Sequence, residues 1–221
     1  MIYNKYRNFR YRLSRTAKES VSFDFSLFLK VWINDQLLKR SPLKAGLPWM
    51  TYNAILYLND IITSDFNIME TGCGGSTIFF LNKACRNLIS IEHDDKWMEI
   101  LINDKRIRKF SHRWEKFCEN LNSSDAKETN RSPYLDRIKK QPKDKYDLVS
   151  IDGRLRSDSL IIASTKVKNN GYILLDNSER PQYQAGINHL DNLGWKRIDF
   201  TGLCYNFDWE SSTSIWQKKQ I

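Results

Sequence analysis

Cysteine and histidine are scarce in this chain, four and three among 221 residues. Cys73, Cys85, Cys118 and Cys204 are scattered, with no C-x-x-C pair and no histidines at ligand spacing, which argues against a zinc cluster. So few thiols in so long a chain also argue against a disulfide framework and for reduced cysteines. No apolar run approaches the roughly 20 residues of a membrane-spanning helix. The first residues lack the apolar stretch of a secretory signal, so the sequence reads as cytoplasmic. Acid is missing from residues 1–18, which nevertheless carry Lys5, Arg7, Arg10, Arg12, Arg15 and Lys18, most of the net charge of +9. Tyr3, Tyr6, Phe9 and Tyr11 interleave with those cations. Such a segment is either a helix that packs its aromatics and solvates its charges, or an arm that touches nucleic acid, an anionic membrane surface or an acidic partner.

What is present is an alternation of short apolar runs with helical patterns. Residues 23–40 carry Phe25, Phe28, Leu29, Trp32 and Ile33 at helical spacing, and Pro42, Gly46 and Pro48 then break the chain. Thr51 is placed to cap a helix through Ile55, Leu58 and Ile62. Strands are expected to end at Glu70 and, in "LISIE", at Glu92. A helix follows Ser76, and another starts near Asp94, with Trp97 read as core. Residues from about 120 to 145 are polar and read as a loop or insertion. "YDLVSID" and "GYILLD" are further strands, separated and followed by helical patterns, and "WKRIDFTG" and "TSIWQ" close the chain as β segments. The alternation predicts an α/β fold, a mostly parallel sheet with helices on both faces. It divides the chain into a basic helical extension over 1–46 and one domain over 47–221.

In such sheets ligands sit outside the carboxyl ends of the strands. Those ends carry Glu70 with Gly72, Gly74 and Gly75, then Glu92 and His93, then Asp152 with Arg154 and Arg156, then Asp176, Asn177 and Arg180. Glycines at a strand-to-helix turn let a ligand approach the backbone. An acid ending the next strand, about 20 residues on, is placed to accept both hydroxyls of a ribose. The loop reads E-T-G-C-G-G-S rather than G-x-G-x-x-G, and Glu70 sets a negative charge beside it. That charge suits a ligand with an ammonium and a sulfonium better than a diphosphate. Cys73 has no indicated histidine partner and reads as a small filler.

"ETGCGGST" and "ISIEHDDKW" resemble the first two nucleoside-binding motifs of class I S-adenosylmethionine-dependent methyltransferases. "LPWMTYNAI", "IDGRLR", "DNSERPQY" and "TSIW" are similar to segments of a group of bacterial methyltransferase-like proteins, and the resemblance runs from about Leu47 to Lys218. It implies a Rossmann-like seven-stranded sheet with the final strand antiparallel. It also implies S-adenosylmethionine held around Glu70, Thr71, Gly72, Gly74, Ser76, Thr77, Glu92, His93 and Asp152.

A second similarity, to metal-dependent O-methyltransferases of the catechol and caffeoyl-CoA type, implies Mg²⁺ on Asp152, Asp176 and Asn177. Where that family has a lysine soon after the first aspartate, this chain has Arg154, Leu155 and Arg156. The expected activity is O-methylation of a small anionic hydroxylated molecule, a sugar or natural-product intermediate. Asp152 or Asp176 would be the base, with Arg154 beside them, and Arg156, Asn177, Arg180 and Tyr183 would line the acceptor. Two alternatives stand: a nucleic-acid methyltransferase using the basic arm, and a non-catalytic nucleoside-binding module. Asn-Pro-Pro-Tyr, expected for methylation of amino groups, is absent, and "SPY" at 132–134 follows no strand.

Overall fold

The computed structural model describes residues 25–83, 85–121, 132–206 and 210–220. The basic arm over residues 1–18 and the middle of the polar segment therefore lie outside the described residues.

Seven strands form one sheet: β1 Asn67–Thr71, β2 Asn87–Glu92, β3 Trp114–Cys118, β4 Tyr146–Ile151, β5 Val167–Asp176, β6 Lys196–Leu203 and β7 Glu210–Gln217. Their order is β3-β2-β1-β4-β5-β7-β6. The first five are parallel, and β7 inserts antiparallel between β5 and β6. The chain starts in mid-sheet, runs outward through β2 and β3, then returns to lay β4 against the other side of β1. That reversal opens a crevice between the carboxyl ends of β1 and β4.

Both faces of the sheet are covered, so the strand interiors read as continuous apolar runs rather than alternations. Neighbouring residues serve opposite cores: Ile68, Leu88, Leu148 and Leu174 pack on one face, and Met69, Ile89, Val149 and Leu175 on the other. The first core takes helices α1 Phe25–Trp32, α2 Tyr52–Ile61, α3 Gly75–Asn82 and α4 Asp95–Asn103. The second takes α5 Pro133–Lys139, α6 Arg156–Ala163 and α7 Gln184–Asn192. Among the described residues no helix is long and apolar enough to cross a membrane.

Residues 25–46 are packed into the first core. Phe28 meets the Tyr52 ring edge-on at 5.8 Å, and Val31 is fully buried. Past α1 the chain widens into a π turn, Ile33–Leu37, which turns Asp35 inward. Its carboxylate accepts from Tyr52 Oη at 2.5 Å and from the Asn206 backbone N–H at 3.0 Å.

Three expectations change. The sequence reading passes over β3, an edge strand whose Glu115 and Lys116 are exposed, which hides its pattern. The polar segment contains α5, opened by Pro133 in the first turn and buried through Tyr134, Leu135 and Ile138. Thr51 stands at the head of α2 but makes no side-chain cap; instead its backbone N–H donates to Thr213 Oγ1.

Candidate functional site

The glycine loop is built from beneath. Register places Glu70 of β1 beside Ser90 of β2. Glu70 is fully buried, and its carboxylate accepts from Ser90 Oγ (2.6 Å), Thr77 Oγ1 (2.6 Å) and Ser76 Oγ (2.8 Å). The acid thus ties the head of α3 to the sheet. The side chains of Glu70, Ser76 and Thr77, expected around the cofactor, are thus hydrogen-bonded to one another inside the protein. Burial, and then the charge of Glu92, raise the Glu70 pKa to about 7 against the pull of the three hydroxyls.

A stability prediction follows from linkage. The unfolded carboxyl loses its proton near pH 4.3 and the folded one near 7, so native protein binds more protons in between and stability falls as pH rises through that window. The full penalty, roughly 2–4 kcal/mol at about 1.4 kcal/mol per pKa unit, is present above pH 7. Urea midpoints at pH 5 and 8 should show this fall, and Glu70→Gln should remove most of it. An unchanged slope in that variant contradicts the assignment.

At the crevice two loops touch. Gly72, at φ +78°, lies so close to the β4 loop that a Cβ there would stand 2.8 Å from Gly153 N. A Cβ on Gly153 would meet Gly72 N at 2.8 Å and Tyr134 Oη at 2.0 Å. Gly72 N–H donates to Ile91 O, and Asp152 N–H to Thr71 O, so the turn is held on both sides while Thr71 stays buried. Gly153→Ala should therefore cost about 1–3 kcal/mol through overpacking against backbone, read as a lower urea midpoint. A neutral result is incompatible with this contact.

Glu92 closes the other side of the loop. It accepts from the backbone N–H of Cys73 (3.0 Å), His93 (2.8 Å) and Asp94 (3.2 Å). Burial opposes its ionisation, but the His93 contact and the backbone donors outweigh it and hold the carboxyl below its ordinary range. His93 Nδ1 lies 2.6 Å from the same carboxylate, and His93 Nε2 accepts from Arg154 Nε at 3.0 Å. Trp97, expected as core, is partly packed there, but its indole N–H donates to Cys73 O at 2.7 Å and clamps the loop. Burial, and the charges of Glu92 and Glu70, push the Cys73 thiol well up, so it is no thiolate nucleophile.

The ends of β4 and β5 are braced by one cation. Arg156 Nη2 lies 2.7 Å from Asp152 Oδ1 and donates to Asp152 O; Nε donates to Gly153 O. Nη1 donates to Asp176 O (2.7 Å) and Asn177 Oδ1 (3.2 Å), and lies 3.9 Å from Asp176 Oδ2. Tyr183 sits under the guanidinium at 5.5 Å, and Asn177 Nδ2 donates to Ser211 Oγ. Leu155, in the left-handed region at φ 49°, turns the chain so that Arg156 points back across the strand ends. Arg156, Asn177 and Tyr183, expected on the acceptor, thus hold each other. Asp152 is 27% exposed toward the crevice, whereas Asp176 is 4% exposed and accepts from Thr213 Oγ1. Burial, then the Asp152 charge, raise the Asp176 pKa to about 8; burial raises Asp152 against the pull of Arg156.

No family model matches the sequence, and no curated protein matches it. Solved structures do. A candidate O-methyltransferase from Klebsiella pneumoniae superposes with a TM-score of 0.58 at 15% identity, over 90% of this chain and 92% of that one. The O-methyltransferase from Bacillus cereus, in complex with S-adenosylhomocysteine, gives 0.56 at 15% identity over 94% and 100%. The chain has the class I methyltransferase fold. Precorrin 8w decarboxylase from Methanobacterium thermoautotrophicum also matches, at 0.51 and 13% identity over 76% and 88%, so this fold by itself does not name a reaction.

The similarity to metal-dependent O-methyltransferases implies a divalent cation on Asp152, Asp176 and Asn177. The residues here do not fit one. Arg156 already lies against all three side chains, and a cation would have to displace it. Among the described residues no group of three or more histidines, cysteines and acids is arranged to hold a metal. The Mg²⁺ expectation is corrected accordingly, while the convergence of the three residues holds through the arginine. Tyr134 is the site residue the sequence reading missed. It is fully buried under the Gly72–Gly153 contact and accepts from Arg154 N–H at 3.3 Å.

Proposed function

We propose that the chain is an S-adenosylmethionine-dependent O-methyltransferase acting on a small anionic hydroxylated molecule. The observation that carries this reading is the glycine loop locked between buried Glu70 and Glu92 at the switch point of the sheet. Backbone approach at Gly72 and Gly74 and the carboxylate of Glu92 suit a nucleoside with a free ribose. Methyl transfer from a sulfonium needs alignment and, for a hydroxyl, a base. Asp152 is the base: its carboxylate opens to the crevice, and Arg156 fixes its orientation. Arg154 and Arg180, exposed or half-buried at the same edge, supply the positive charge that draws an acceptor carboxylate or phosphate.

The test is release of S-adenosylhomocysteine in a coupled assay, with hydroxylated carboxylates and phosphates as acceptors and with neutral analogues and RNA as controls. Turnover with anionic small molecules, unchanged by chelator, is the expected result. Turnover confined to RNA, or abolished by chelation and restored by Mg²⁺, overturns this reading.

A further inference from the structure

Glu92 is crowded. Its fixed partners are three backbone N–H groups, which belong to the loop and cannot leave without unfolding it. Two side chains also reach it: the Cys73 thiol, which donates to Oε2 at 3.4 Å, and His93 on the Oε1 side. His93 Nδ1 stands 2.6 Å from Oε1, yet makes no well-directed hydrogen bond. The ring is partly exposed, and its far nitrogen, Nε2, accepts from Arg154 Nε, so the ring proton sits on Nδ1, toward Glu92. Among the described residues no other hydrogen bond or ion pair involves the Arg154 side chain, which is exposed at the mouth of the crevice. One imidazole therefore touches the acid on the β2 side and the cation on the β4 side.

We infer that His93 couples the two halves of the site: it occupies the side of Glu92 that a ribose needs, and its displacement by the cofactor releases Arg154 to take the anionic group of the acceptor. This rests on the cofactor reading above. The physical reason is competition. Two vicinal hydroxyls offer well-directed donors to a carboxylate whose Oε1 has, beside its backbone donors, the misdirected imidazole as a contact that can yield. When the ring swings away, Arg154 loses the one side-chain partner it has among the described residues. Its fork is then open to an anion at the moment the methyl donor is in place. Binding free energies are reciprocal, so an anion that draws Arg154 off His93 must in turn favour the cofactor.

Calorimetric titration with S-adenosylhomocysteine tests this. His93→Ala, and His93→Phe as a variant that keeps the ring volume without either nitrogen, should bind about 5-fold more tightly than wild type, at the lower end of usual coupling factors. Replacing chloride by inorganic phosphate at constant ionic strength should tighten binding by wild type and leave Arg154→Ala unaffected. The chain has three histidines, so the side-chain ¹⁵N signals of His93 can be followed, and they should shift when S-adenosylhomocysteine is added. A merely structural His93 gives equal or weaker binding in both variants and unmoved signals, and that outcome overturns the coupling. Loss of the phosphate effect alone overturns the release of Arg154. If wild type binds no S-adenosylhomocysteine, the cofactor reading itself fails, and the coupling with it.

Discussion

Arg156→Ala is expected to cost about 3–5 kcal/mol of stability, the usual penalty for removing one partner of a buried ion pair. Arg156 is 12% exposed and donates to Gly153 O, Asp152 O, Asp176 O and Asn177 Oδ1 while facing two carboxylates. Its loss strands those acceptors and leaves the Asp152 carboxylate without its cation. Arg156→Lys keeps the charge but not the fork, so it should recover only part of the loss. Above pH 8, where Asp176 would ionise, adding Asp176→Asn to Arg156→Ala should also recover part, because one stranded charge is gone. Urea denaturation of these variants, with wild type and Asp176→Asn alone, measures the coupling directly. A cost below about 1 kcal/mol for Arg156→Ala, against the 3–5 expected for a buried pair, shows that something else braces the strand ends.

Asp152→Asn is expected to lower turnover by about 10²–10⁴-fold, the range of a lost general base, with the fold intact. Asp176→Asn should behave in the opposite way. Its carboxyl holds a proton up to about pH 8, so at neutral pH the amide replaces a group that is mostly uncharged already. Turnover at pH 7 should stay within about 10-fold, too little for a lost base. Stability supplies the sign. The unfolded carboxyl ionises near pH 3.9 and the folded one near 8, so stability falls between those values and the penalty is complete above pH 8. Asp176→Asn should therefore be more stable than wild type at pH 8.5 and differ little from it at pH 4. If it is Asp176→Asn that abolishes turnover while Asp152→Asn is tolerated, the two roles are exchanged.

Much of the frame was legible before any coordinates. Glu70, Glu92, Asp152 and Asp176 were read as strand ends, and all four lie at carboxyl edges of parallel strands. Which of them face a ligand was not legible. Glu70 is sealed because the β1–β2 register brings Ser90 alongside it, and register between strands 20 residues apart leaves no local mark. Arg156 reads as a substrate grip in the sequence because its guanidinium is a permanently charged fork that stands with Arg154 and Arg180 at the strand ends. Its inward turn depends on the left-handed conformation of Leu155, which a leucine gives no reason to expect. Tyr134 is hidden in the sequence because Ser132 and Pro133 look like a loop and the pattern of β3 before them is masked by its exposed residues. Only the packing of α5 beneath Gly153 shows what the tyrosine supports.

The central claim is that the loop between Glu70 and Glu92 holds the nucleoside of S-adenosylmethionine. Calorimetric titration with S-adenosylhomocysteine, of wild type and of Glu92→Gln shown to be folded by its urea midpoint, tests it most directly. Wild type should bind one-to-one, and affinity should be about 10–100-fold lower in the variant, since ribose hydroxyls lose a charged acceptor worth roughly 1.5–3 kcal/mol. Equal affinity in the two proteins, or no binding by wild type at tens of micromolar, contradicts it.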